Sequence, residues 1–349
     1  MLVTSWFNRT LGTARARTAA TLGTATALRR LTLASLAANV AIVVTGGAVR
    51  LTGSGLGCPT WPHCTGDSYV TTPARGYHGV VEFTNRTFTS IVGILAVLCL
   101  VAVATVARGR VAPELRRTRL IWAWAVVAGI PAQAVLGGLT VLTDLNPWLV
   151  ACHFLLSSAL IAAAYQLWVR CRADHVERAP LAPALRGLAW VIVAVTAAVL
   201  AVGTVVTGSG PHAGDEHAKR TGLDPGAVAQ LHTDLVMLLI GLSVAGWFAL
   251  RATGSPGYAV RAARALVLIE CAQALIGFVQ YFTHLPVVLV GVHMLGACLV
   301  WLGALGLLTA VTVGPPAPSP SRAPAGDLAA APETSPRRVR PAHRTPEKV

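Results

Sequence analysis

Long runs of apolar residues alternate with short polar segments along almost the whole chain. Eight such runs are free of charge over most of their length, near residues 31–50, 87–107, 120–142, 149–169, 187–207, 228–250, 265–283 and 287–312. Each is close to the ~20 apolar residues that a membrane-spanning helix needs. Between Glu270 and Arg322 no charge occurs. That stretch is too long for one helix, and "THLP" at 283–286 supplies the break. The pattern predicts an all-α polytopic membrane protein with eight transmembrane helices.

The pattern also repeats. "AQAVLGGLTVLTDLNPWLVACH" (132–153) aligns without a gap on "AQALIGFVQYFTHLPVVLVGVH" (272–293), with nine of 22 positions identical. The shared residues include Gln133/Gln273, Gly137/Gly277, Thr143/Thr283 and His153/His293. "VVTGGA" (43–48) likewise matches "VVTGSG" (205–210), and "VVEFTNRTF" (80–88) sits where "AVAQLHTDL" (227–235) sits. Apolar helices share Leu, Val and Ala by chance, but rarely a Gln and a His twenty residues apart. We therefore expect two tandem four-helix bundles related by internal duplication, parallel rather than inverted. The expected organisation is a basic N-terminal segment (1–30), an N-terminal half (31–170), a linker (171–186), a C-terminal half (187–313) and a disordered Pro/Ala-rich tail (314–349).

Composition agrees with this picture. The chain of 349 residues is 54% hydrophobic and 12% charged, about half the charge of a soluble domain. The net charge of +14 does not indicate nucleic acid, because the basic residues lie between the spans. Segments 1–30, 108–119, 170–186, 251–264 and 314–349 hold 23 of the 28 basic residues. The other set holds only Arg50, Arg75, Arg86, Lys219 and Arg220. The positive-inside rule then places both termini in the cytoplasm of a cell-membrane protein, with residues 51–86 and 208–226 facing outward.

On this topology His153, His232 and His293 lie at similar depth near the outer starts of helices 4, 6 and 8. Two imidazoles on diagonal helices of a bundle can ligate a haem iron from both faces. His232 and His293 form such a pair. In the N-terminal half His153 has a counterpart in Asn85, whose amide is a poor iron ligand. Glu82 stands with Asn85 and Arg86 at i+3 and i+4. It reads either as half of an interfacial Glu82–Arg86 pair, or as a general base or cation-stabilising carboxylate. Arg50 and Arg86 are placed either to meet haem propionates or to anchor the interface. Cys58 and Cys64, with five residues between them in an outward loop that holds Pro59 and Pro62, are expected to form a disulfide. Cys99, Cys152, Cys271 and Cys298 are expected to pack as small hydrophobes, and Glu270 is either a protonated acid or a partner of Gln273.

These motifs resemble the haem A synthase family. The resemblance rests on "GGAVRLTGSGL" before the cysteine pair, "EFTNR" opening helix 2, "QAVLGGLTV…H" across helices 3 and 4, and His232 with His293 behind. It covers about residues 31–312. It implies oxidation of the haem O methyl group to the formyl group of haem A by successive hydroxylations, for cytochrome oxidase assembly. It further implies haem b on His232 and His293, substrate haem O with His153 at its iron, Glu82 as the essential carboxylate, and a redox part for Cys58 and Cys64. A haem O synthase and oxidase assembly factors are the partners it suggests, and a homo-oligomer stays open. The family pattern often carries His where this chain has Asn85, so mono-His binding of the substrate is the expectation here. The rival reading is a dihaem b-type electron-transfer protein, which would need two histidines in each half. A transporter would need more midplane charge than Glu270.

Overall fold

The computed structural model describes residues 24–106, 111–172 and 180–312. The N-terminal segment up to 23, residues 107–110, residues 173–179 of the linker and the tail beyond 312 lie outside the described residues. Eight long helices occur among the described residues: α1 (Ala25–Leu51), α2 (Gly76–Val106), α3 (Pro113–Leu142), α4 (Pro147–Cys171), α5 (Pro183–Ser209), α6 (Pro225–Ala252), α7 (Gly257–Phe282) and α8 (Val287–Thr312). All eight are long and apolar enough to cross a membrane. The chain is a multi-pass membrane protein.

Most helices outrun their charge-free cores, while α8 coincides with its own. Helices of 25 to 31 residues are ~38–47 Å long, against ~30 Å of hydrocarbon. The largest difference is at α2, which begins at Gly76 instead of near 87. Its first turns hold Glu82 and Arg86, which neutralise each other at i,i+4, so two charges that interrupt the apolar run do not interrupt the helix. Starts are fixed locally. Asn146 Oδ1 accepts from the Trp148 N–H at 3.0 Å, and Asp224 Oδ2 from the Ala227 N–H at 2.7 Å, with Pro147 and Pro225 supplying a preset φ at the first position.

Within each half the helices form a closed ring of neighbours. In the first, α1 packs on α2, α2 on α3, α3 on α4 and α4 on α1; α5 to α8 do the same. The diagonal pairs α2/α4 and α6/α8 have no Cα atoms within 8 Å of each other. The halves meet through α4 on α5, α1 on α8 and α4 on α8. Exchanging α1 with α5 and α4 with α8 leaves that set of contacts unchanged, as expected for a two-fold axis along the bundle. The hairpin turns match as well. Asp144 and Leu145 have φ of 52° and 58°, and His284 and Leu285, each 140 residues on, have 61° and 59°. The Leu145 N–H bonds the Thr140 carbonyl at 2.8 Å, and the Leu285 N–H bonds the Gln280 carbonyl at 2.7 Å.

Polar bonds close the seam between the halves at the end carrying the cysteine loop. The Arg50 guanidinium donates to the carbonyls of His212 (2.6 Å) and Thr207 (2.9 Å). The Gly55 N–H donates to the Gly214 carbonyl at 2.8 Å. Deeper in the seam, Trp301 Nε1 on α8 donates to the Ser158 carbonyl on α4 at 2.9 Å. Cys99 and Cys298 are buried as expected, whereas Cys152 and Cys271 are exposed, on faces with no neighbouring helix to pack against them.

Candidate haem sites and the disulfide loop

One spacing places four residues on the inner faces of the bundles. On α2, residues 7, 11, 14 and 18 beyond Asn85 are Val92, Ala96, Cys99 and Val103, and all are buried. The same offsets from His153 give Leu160, Ala164, Leu167 and Cys171. From His232 they give Leu239, Ser243, Gly246 and Leu250, and from His293 they give Val300, Ala304, Leu307 and Val311; all twelve are buried. At 100° per residue these offsets return to within ~40° of the starting direction. Each of the four positions therefore heads the inward stripe of its helix, at the same end of the bundle.

Glycines on neighbouring helices make room for the imidazoles. A methyl group at Gly137 would lie 2.9 Å from His153 Cε1, one at Gly203 3.1 Å from His232 Cε1, and one at Gly277 3.4 Å from His293 Cε1. The backbones of His153 and His293 are held alike. Gln133 Nε2 donates to the His153 carbonyl at 2.9 Å, and Gln273 Nε2 to the His293 carbonyl at 2.6 Å. Both rings have a buried Nδ1 without a hydrogen-bond partner. A buried imidazole nitrogen left without a partner loses ~1–3 kcal/mol of hydration, so each site holds a polar atom that the protein alone does not satisfy. His232 and His293 stand on diagonal helices whose Cα atoms stay more than 8 Å apart, with both imidazoles heading inward; this fits a haem held from both faces. No three His, Cys, Asp or Glu side chains among the described residues gather as ligands for a bare metal ion.

The N-terminal half differs at one of these positions. Asn85 is shorter than His232, and its Oδ1 accepts from the Thr45 hydroxyl on α1 at 2.7 Å. The counterpart threonine, Thr207, turns instead to the Gly203 carbonyl of its own helix at 2.8 Å. Nothing in the single-sequence pattern marks Thr45 except its place in the repeated "VVTG".

Glu82 is 5% exposed and faces the cysteine loop. Its Oε2 accepts from the Cys58 N–H at 2.7 Å, and its Oε1 from Arg86 Nε (3.0 Å) and Nη2 (2.6 Å). Arg86 then reaches across the loop, donating to the carbonyls of Cys58 (2.8 Å), Thr60 (3.0 Å) and His63 (3.3 Å). Glu82 is thus buried, and the half-buried Arg86 is multiply bonded rather than solvated at the interface. Cys58 and Cys64 form the expected disulfide, with Cα atoms 4.4 Å apart, and both are buried. Gly57 has no side chain because a methyl there would overlap the His78 carbonyl. The Trp61 ring lies where a Gly138 side chain would stand, one residue from the glycine that accommodates His153. Sequence reasoning passed over Trp61; the signal was a tryptophan in a short loop opposite a Gly-Gly pair.

Arg50 lies at the seam and bonds carbonyls of the C-terminal half. Glu270 pairs with Ser243 on α6, whose hydroxyl donates to Oε1 at 2.8 Å, and not with Gln273, which is committed to His293. Asp234 bonds Gln230 on the exposed side of α6, away from His232.

A family model described as COX15-CtaA, cytochrome oxidase assembly protein, matches residues 29–214, more than half of the chain. That range holds Cys58, Cys64, Glu82, Asn85, Arg86 and His153, and stops short of His232 and His293. Similar relatives carry the name heme A synthase. The one from Symbiobacterium thermophilum is 31% identical over 191 residues, 52% of this chain and 59% of that protein. The one from Bacillus pumilus is 29% identical over 142 residues, 40% and 44% respectively. The one from Lysinibacillus sphaericus is 29% identical over 154 residues, 43% and 47% respectively. The chain spans about half the length of the curated relatives it matches. With the loop, the α2 motif and the inward histidine all inside the matched residues, the chain belongs to the COX15-CtaA family of cytochrome oxidase assembly proteins.

Proposed function

We propose that the protein is a haem A synthase: a cell-membrane oxidoreductase that oxidises the methyl group of haem O to the formyl group of haem A by successive hydroxylations. The observation that carries this reading is the asymmetry between the halves. One bundle presents two inward histidines. The other presents one, beneath a disulfide loop pinned to a buried carboxylate, and an electron-transfer protein has no need of that difference.

In this reading His232 and His293 hold a resident haem b, which supplies one-electron transfer when bound. His153 takes the iron of substrate haem O in the N-terminal half. Glu82 sits at the loop end of that half with both oxygens engaged by Arg86 and Cys58. That arrangement favours a fixed negative charge that stabilises a developing cation over a free base, since preorganised charge needs no reorganisation as the reaction proceeds. Arg86 cross-links the loop to α2 and so holds the loop over the site. The distribution of basic residues supports cytoplasmic termini, with Cys58 and Cys64 then on the oxidising side. A haem O synthase supplying substrate and oxidase assembly factors receiving product are the partners this activity calls for.

The test is to express the chain in a membrane that makes haem O but no haem A, and to extract the pigments. Haem A should appear with the wild type and vanish with Glu82→Ala. Bound haem b with no conversion of haem O would replace this reading with the dihaem electron-transfer protein.

A further inference from the structure

The geometry points to Asn85 as a hydrogen-bond donor on the open face of the substrate haem, aimed by Thr45, where the duplicated pattern would otherwise place a second iron ligand. This inference rests on the proposed substrate site at His153.

Three observations converge on it. First, Asn85 occupies a ligand position: it heads the buried stripe of α2 as His232 heads that of α6, with the same four offsets below it. It stands on the helix diagonal to His153, and α2 and α4 have no Cα atoms within 8 Å of each other. Second, the amide is held by a neighbouring helix. The Thr45 hydroxyl donates to Oδ1 at 2.7 Å, which leaves the two N–H donors of Nδ2 for another partner. Nδ2 lies over the backbone of Gly46, 3.8 Å from where a methyl would be. Third, the bond across helices belongs to the N-terminal half: both threonines reach a carbonyl of their own helix, Thr45 that of Ile42 at 3.2 Å and Thr207 that of Gly203 at 2.8 Å, but Thr45 alone of the two also bonds the residue at the ligand position.

A carboxamide oxygen is a weak ligand for haem iron, and here it is already taken by Thr45. His153 is then the one protein ligand, and the opposite coordination position is open to a small exogenous molecule. An N–H donor on that side favours diatomic or anionic ligands that accept a hydrogen bond as charge builds on their outer atom. The two halves thus divide the work: closed coordination at His232 and His293, and an open, donor-equipped position above His153. Thr45 is a positioning residue in this scheme, acting through the amide.

Carbon monoxide tests this on the full-length protein loaded with haem O and reduced without oxygen. In the wild type one of the two haems should bind CO, the bis-histidine haem remaining as internal reference. Asn85→His should convert the substrate haem to a low-spin form that excludes CO. Asn85→Val should keep CO binding but raise the C–O stretching frequency and speed CO release about two- to tenfold, the worth of one hydrogen bond. Thr45→Val should shift the stretch in the same direction, and Thr45→Ser should restore it. Wild-type haem O that is low-spin and refuses CO would overturn the open position. CO binding with an unchanged stretch in Asn85→Val would overturn the donor role. Haem O content unchanged by His153→Ala would instead overturn the substrate-site reading beneath both.

Discussion

At the scale of single residues, three imidazoles each stand against a glycine of a neighbouring helix. His153 and His293 announce themselves because a polar side chain recurs at one register in two apolar helices. The glycines facing them are uninformative until the helices are packed. The three glycine–histidine contacts differ in closeness, and that difference can be measured. Alanine at Gly137 would bring a methyl within 2.9 Å of His153, whereas alanine at Gly277 stays at 3.4 Å from His293. The first distance forces a shift costing ~1–3 kcal/mol, and the second is an ordinary contact. We therefore expect Gly137→Ala to lower haem O content while Gly277→Ala leaves haem b content near wild type, read by pigment extraction from purified protein. Equal losses in both would mean that the histidines are not held by these contacts.

Glu82 and Arg86 make a second case at this scale. In the sequence they read equally as a solvated i,i+4 pair or as functional groups. Burial removes the solvated reading, because a shielded charge that loses its partner costs ~3–5 kcal/mol. Arg86→Met should therefore destabilise the protein by about that amount in thermal unfolding of the detergent-solubilised chain. The double variant Glu82→Leu with Arg86→Met should recover part of the loss while remaining without activity. A single Arg86→Met variant as stable as wild type would return the pair to the solvated class.

At the scale of elements, the number, order and pairing of helices followed from hydropathy and from the repeat. Their lengths did not, because charge-free windows stop where a helix leaves the hydrocarbon or carries an internal ion pair. The cysteine loop was visible as a loop. Its attachment to α2 was hidden, since it depends on a main-chain N–H of Cys58 and three loop carbonyls that no side-chain pattern encodes. The disulfide closes a ring of about seven residues, for which loop entropy alone is worth about 2 kcal/mol. Replacing both cysteines with serine should loosen residues 57–64 and release Glu82 from the Cys58 N–H. Hydrogen exchange should then quicken in this loop and at the start of α2, with the helices around His232 and His293 unchanged. Protection lost throughout the bundle would show that the loop holds the fold rather than the site.

At the scale of the whole molecule, the two halves could be matched from sequence, but how they meet could not. Arg50 carries that lesson. A lone arginine at the outer end of α1 suggested a propionate partner; in the structure its guanidinium spans the seam to the carbonyls of Thr207 and His212. Charge-assisted bonds of this kind are worth ~1.5–3 kcal/mol each, so Arg50→Met should lower stability by several kcal/mol and raise hydrogen exchange in the loop around His212. Arg50→Lys should recover only part, because a single ammonium does not reproduce the two-pronged fork. Haem content at room temperature separates the two roles. If Arg50 serves the seam, both pigments remain bound in Arg50→Met and are lost together at a lower temperature. If it serves a propionate, one pigment falls at room temperature while exchange at the seam stays slow.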